Sequence, residues 1–180
     1  MTAVATLSQR SGRRILLATF AVATIGSLLV PEPFAFGQTS GDESSPIFGV
    51  KIPAGYRQWE LIAPSREAGS FDELRSILGN AISMKAYRDA ALPFPDGSML
   101  VKLAWKQVPS AEFDGAFVPG RTTTVQVMVK DSKKYSSTGG WGFGRFIEGK
   151  RVDEAQHQTC FACHEANVKG HDLVFTRYAP

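Results

Sequence analysis

Cysteine is almost missing from this sequence: Cys160 and Cys163 are the only two among 180 residues. No disulfide framework can be built elsewhere in the chain, and a four-ligand structural zinc site lacks its second pair. A dominant charge is missing too. The 20 Lys and Arg stand against 17 Asp and Glu, a formal net charge of +3. Arg10, Arg13 and Arg14 supply much of that excess, so the charge points neither to nucleic acid nor to a membrane surface. The longest apolar run, Ile15 to Val30, falls short of the ~20 residues that a membrane-spanning helix needs. There is no internal repeat and no long low-complexity tract.

That run follows a basic start and precedes Ala35-Phe36-Gly37, whose small residues suit a cleavage site. Residues 1–37 are therefore read as a secretory signal peptide, with no membrane attachment expected once it is cut. Cleavage leaves 143 of the 180 residues, enough for one domain with one core. Three arginines and Glu32 leave with the signal, so the formal charge falls to about +1. Residues 38–48 are expected to form a flexible leader, and 49–180 the folded domain.

The two cysteines belong to Cys160-Phe161-Ala162-Cys163-His164, and this spacing reads as a c-type haem attachment site. On one helical turn, two sulfurs can reach the two vinyl groups on one edge of a porphyrin and become thioethers. The adjacent imidazole of His164 then lies over the iron as its axial ligand. A redox pair of thioredoxin type would follow the first strand of a βαβ unit, and no such pattern precedes these cysteines. A simple disulfide would leave His164 without a role. Haem attachment takes place on an unfolded exported chain, so the Arg13-Arg14 pair is not read as a twin-arginine signal.

Along the rest of the chain, Tyr56 to Ala63 reads as a strand with Trp59, Leu61 and Ala63 on one side, and Pro64 to Gly69 as a loop. Phe71 to Leu78 is open to two readings. Ser70 and Glu73 could form a capping box for a helix, yet eight residues also suit a strand. Ala81 to Leu92 reads as a helix stopped by Pro93. The clearest strand is Ser98 to Lys106, where Met99, Val101, Leu103 and Trp105 alternate with Leu100, Lys102, Ala104 and Lys106. After a loop from Val108 to Arg121, Thr122 to Lys130 alternates likewise, with Val125, Val127 and Val129 opposite Thr124, Gln126 and Met128. Trp141 to Ile147 is an aromatic strand whose glycines admit large rings to the backbone. Asp153 to Glu165 is the motif helix, and Leu173 to Tyr178 a closing strand. The fold class is α+β: an antiparallel β-sheet domain with two or three helices, the C-terminal one carrying the attachment motif.

Four further stretches carry a family likeness. Phe94-Pro95-Asp96-Gly97-Ser98-Met99-Leu100-Val101-Lys102, Val129-Lys130-Asp131-Ser132, Gly140-Trp141-Gly142-Phe143 and Asp172 to Tyr178 occur in the same order as the haem motif. Together they resemble the cytochrome P-460 and cytochrome c′-beta family over essentially the whole chain after the signal. The resemblance implies a periplasmic protein, usually a homodimer, with one covalent haem c, a five-coordinate iron and a pocket on its open face. It favours a strand for Phe71 to Leu78. In P-460 members a lysine bonded to the porphyrin accompanies hydroxylamine oxidation; by alignment that lysine is Lys102. The alternative for Lys102 is an ordinary strand lysine reaching water or a haem propionate.

Hydroxylamine-oxidising members place a glutamate above the iron as proton acceptor, and here Gln126 stands at that position. An amide can hydrogen-bond a bound N-oxide but cannot take its proton near neutral pH, which should weaken this chemistry. The c′-beta members lack the cross-link and bind nitric oxide in an apolar pocket, and Phe94 matches an aromatic that crowds it. Three functions stay open: conversion of small nitrogen oxides with a periplasmic electron-transfer partner, non-catalytic nitric oxide binding, and simple electron transfer with a filled sixth position. For that last role Met84, Met99 and Met128 are available sulfurs, although such methionines serve the core more often than a metal. His157, on the motif helix, is expected at the surface or beside a propionate, and His171 in a solvated loop. Arg145, Lys150, Arg151 and Arg177 are candidate partners of propionates.

Overall fold

A computed structural model of the chain describes residues 43–179. The expected signal peptide therefore lies outside the described residues. Six strands form one sheet in the order β1-β2-β3-β4-β5-β6, each antiparallel to its neighbour. They are β1 (Glu60–Glu67), β2 (Glu73–Gly79), β3 (Met99–Pro109), β4 (Phe117–Lys130), β5 (Trp141–Ile147) and β6 (Lys150–Arg151). Helix α1 (Ala81–Arg88) interrupts the meander after β2, and α2 (Glu154–Val168) follows it. The domain is α+β, with a C-terminal helix carrying the cysteines.

Of the stretch Phe71 to Leu78, the part from Glu73 on is strand, and Glu73 is no helix cap but a buried side chain. The strand expected at Tyr56 begins later, because Tyr56–Gln58 is a single 3-10 turn. It then runs on through Pro64 to Glu67. Proline is tolerated there because β1 is an edge strand, whose outer side needs no N–H donor. An irregularity between Leu61 and Ala63 turns Ile62 inward and leaves Leu61 half exposed, reversing the expected face. The loop expected over Val108 to Arg121 is mostly a hairpin extension, paired as far as Pro109 with Phe117.

Asn80 starts α1: its side-chain oxygen accepts the Ser83 and Met99 N–H groups, and its amide donates to the Gly97 carbonyl. The helix stops at Arg88, ahead of Pro93. Ala90 takes a left-handed φ of 50°, and the Ala91 N–H reaches back to the Ala86 carbonyl. Leu173 to Tyr178 forms no strand. Asp172 and Leu173 are both left-handed, which turns the chain out of the sheet direction. The leader also ends earlier than expected, since Ser45 and Phe48 are buried and the Ser45 hydroxyl donates to the Phe143 carbonyl.

Alternation gives the sheet two different faces. Val101, Leu103, Val125, Val127 and Phe146 are buried on one. Gly142 and Gly144 lie on this side, where a side chain would collide. A Cβ at Gly142 would sit 2.3 Å from the Tyr135 ring, whose hydroxyl is held by the Phe48 carbonyl. Gly142→Ala is therefore expected to cost about 1–3 kcal/mol by overpacking. Chemical denaturation measures this, and an unchanged midpoint would mean the ring is free to move aside.

Candidate functional site

The opposite face of the sheet is polar at its centre. Strand register places Ile77, Lys102, Gln126 and Arg145 in one transverse row across β2, β3, β4 and β5. The adjoining row holds Arg75, Ala104 and Thr124, and the row on the other side Leu100, Met128 and Phe143. Helix α2 lies across this face and brings Cys160, Cys163 and His164 to it. Sheet, helix and the tail residues Val174 to Thr176 enclose a cavity of about 460 Å³.

Three contacts fix α2 over the sheet. Asp153 caps the helix by accepting the Gln156 N–H at 2.9 Å. His157 is fully buried rather than at the surface or beside the cavity. Its Nδ1 lies 2.8 Å from the Asp153 carbonyl, and its Nε2 accepts the Arg145 backbone N–H at 3.1 Å. The third contact is aromatic: the His164 ring sits between Phe143, centroids 5.0 Å apart, and Phe175 at 4.9 Å.

The proton of His164 is placed by its surroundings. Nδ1 is 2.6 Å from the Leu173 carbonyl, a partner that can only accept, so Nδ1 donates and Nε2 keeps its lone pair. Burial pulls the imidazole below its ordinary value, and the Leu173 bond opposes this. Cys160 and Cys163 are not joined to each other; burial pushes the Cys160 thiol up, while Arg145 draws it down.

On the sheet side, Arg75 is held in ion pairs. Its Nε and Nη2 donate to one oxygen of Glu73 at 3.0 and 2.8 Å, its Nη1 to Glu67, and Thr123 donates to the other Glu73 oxygen at 2.6 Å. Lys102 has no such partner among the described residues. Burial lowers its pKa to about 8, with the Arg75 charge adding to the effect. The Nε of Arg145 is likewise buried without a hydrogen-bond partner among the described residues. Gln126, between these two cations, donates to the Thr124 hydroxyl at 3.3 Å.

The structure thus brings together Cys160, Cys163, His164, Lys102 and Gln126 around one cavity. Phe94 is elsewhere: it is buried against Tyr87, Trp141 and His171, at centroid distances of 5.0, 5.8 and 6.2 Å, and forms no part of the cavity wall. Of the three methionines considered, only Met128 lines the cavity. Arg145 lines it as well, whereas Lys150 and Arg151 are exposed in β6 and Arg177 donates to the Val174 carbonyl. His171 is half-buried, with Nδ1 at 2.9 Å from the Val174 carbonyl. The Arg75–Glu73 pair escaped the sequence reading; the signal for it was the alternation of Glu73, Arg75 and Ile77, once β2 is known to be a strand.

The Cytochrome P460 family profile matches residues 53–176, and the chain belongs to this family. Membership makes it a haem-binding cytochrome. No curated protein matches the chain. The donor set suits that group: two unjoined thiols, an imidazole with Nε2 available, and an orphaned guanidinium nitrogen able to take an anionic oxygen. Among the described residues no cluster of three or more His, Cys, Asp or Glu offers a bare metal site instead.

A buried lysine at about 8 makes folding pH-dependent. Its folded value lies below the ordinary 10.5, so the unfolded chain holds more protons between those limits and stability rises with pH from about 8 towards 10.5. With the amine free, Lys102→Met is expected to stabilise the protein at pH 7 by up to ~3 kcal/mol and to remove that rise. Thermal unfolding across pH 7 to 10 tests this, and a variant with the parent profile would contradict it.

Proposed function

We propose that this protein is a periplasmic cytochrome with one covalently held haem c, which binds and converts small nitrogen oxides at an open iron position. The observation that carries the reading is the row Lys102–Gln126–Arg145, set across one cavity from Cys160, Cys163 and His164. When bound, the haem supplies an iron that binds such ligands and exchanges electrons with them. Cys160 and Cys163 would hold its vinyl edge, each S–H adding across one C=C. His164 would offer Nε2 to the iron while Leu173 keeps Nδ1 protonated.

The row on the sheet supplies the polarity. Gln126 can donate to an N-oxide oxygen, and the unpaired Lys102 and Arg145 charges favour a ligand that carries or develops negative charge. With a pKa of about 8, roughly a tenth of Lys102 is neutral at pH 7, and the neutral amine is the nucleophilic form. Bonding of that nitrogen to the ring would replace one N–H and one C–H, a two-electron oxidation that calls for an external oxidant such as peroxide. A cross-linked protein is the hydroxylamine-oxidising form; a free Lys102 leaves a nitric oxide binding protein of c′-beta type. We read the working protein as a homodimer that passes electrons to a periplasmic partner. Met128 on the cavity wall supports a second reading, electron transfer with sulfur in the sixth position.

Carbon monoxide titration of the ferrous protein is expected to shift its absorption bands at one equivalent; failure to bind any gas would leave the electron-transfer reading. Proteolytic mass mapping of the Lys102 peptide then separates the two nitrogen-oxide forms. In cross-linked protein, Gln126→Glu is expected to raise hydroxylamine turnover by roughly 10²-fold, the lower end of general-base help. Arg145, its neighbour across the strands, would keep the new carboxylate ionised. An unchanged rate would remove Gln126 from the distal side.

A further inference from the structure

Lys130 and Asp172 form a buried ion pair outside the cavity wall. Their side chains are 6% and 11% exposed, and Lys130 Nζ donates to Asp172 Oδ1 at 2.8 Å and Oδ2 at 2.9 Å. The same Nζ donates to the Gly139 carbonyl at 3.0 Å and lies 5.0 Å from the centre of the Trp141 ring. Asp172 Oδ2 also accepts the Phe94 N–H at 2.8 Å. The pair thereby joins the end of β4, the turn before β5 and the loop after α1.

Desolvation offsets most of what such a pair gains, so stability alone explains its presence poorly. Its place in the chain suggests another use. Asp172 and Leu173 hold left-handed φ angles of 46° and 64°, a conformation costly for residues with side chains. The product of that turn is the Leu173 carbonyl, 2.6 Å from His164 Nδ1. Leu173 is braced on its other side, since a Cβ on Gly139 would stand 2.7 Å from Leu173 Cδ1.

We infer that the Lys130–Asp172 pair is a positioning device for the His164 imidazole: it clamps the turn whose Leu173 carbonyl takes the Nδ1 proton, and so sets how strongly His164 donates to the iron. The inference rests on the reading of His164 as the axial ligand. A partner on the second ring nitrogen fixes the orientation of a ligating histidine and raises its basicity, and loss of such a partner typically costs 10–100-fold at the metal. A more basic imidazole favours the ferric state. The turn keeps two other bonds, Leu173 N–H to the Val168 carbonyl and Val174 N–H to the His171 carbonyl, so loss of the clamp should loosen the carbonyl without unravelling the tail.

The test uses the full holoprotein with two variants. Asp172→Asn weakens the clamp, and Lys130→Met with Asp172→Asn removes it without leaving a buried charge unpaired. Arg88→Gln, at the exposed Arg88–Glu60 pair, serves as control. In both clamp variants the ferric/ferrous ratio at fixed potential should fall on the order of tenfold, a rise in midpoint potential of about 59 mV for one electron. The iron–histidine stretching frequency should fall with it, and the control should move neither. A lower unfolding midpoint with unchanged potential and frequency would overturn the inference, as would loss of folding in both variants, because the pair would then serve the fold alone. A parent protein that carries haem but keeps its values in the variants refutes the clamp only; a parent without haem refutes the underlying reading as well.

Discussion

The hydrogen bond that ties the site's helix to its sheet runs from a backbone group to a buried histidine. His157 receives the backbone N–H of Arg145 from the middle of β5, and its other nitrogen faces the Asp153 carbonyl that opens α2. Arg145 points its side chain into the cavity from that same residue. The spacing between the polar row of the sheet and the cysteines on the helix is therefore set at the position where both meet. His157 is the one fully buried side chain of α2, while Cys160 and Phe161 pack only partly against the core and the His164 ring adds its contacts with Phe143 and Phe175.

Around that contact the domain divides its work between the two faces of one sheet. The face with Val101, Val127 and Phe146 supplies ordinary apolar burial, which favours the fold at roughly 25 cal/mol per Å². The other face gives up part of that gain by enclosing charges. Arg75 is compensated by Glu73 and Glu67, but among the described residues Lys102 and Arg145 are not. Unpaired polar groups in a fold are expected where a ligand completes them.

The sequence was most informative where a short-range rule settles the geometry. The spacing of Cys160, Cys163 and His164 marks one turn of helix, and strict alternation in β3 and β4 puts Lys102 on the face of Leu100 and Gln126 on that of Met128. It was least informative where the deciding partner lies far along the chain. Ile62 faces inward because of an irregularity in pairing with β2, which no local pattern announces. His157 reads as a surface residue or a propionate neighbour, because its partner is a backbone group that carries no sequence signal. Phe94 was assigned to the pocket by family likeness, whereas the aromatic packing of Tyr87, Trp141 and His171 draws it into the core.

Everything proposed for the cavity presumes that both sulfurs of α2 are spent on one porphyrin. The most direct measurement is mass spectrometry of the proteolytic peptide that spans Cys160 to His164, from protein matured with the export and haem-attachment machinery. The account predicts a single species carrying one haem on both cysteines, with no thiol left to alkylate. A peptide of unmodified mass whose two thiols react in full would contradict it.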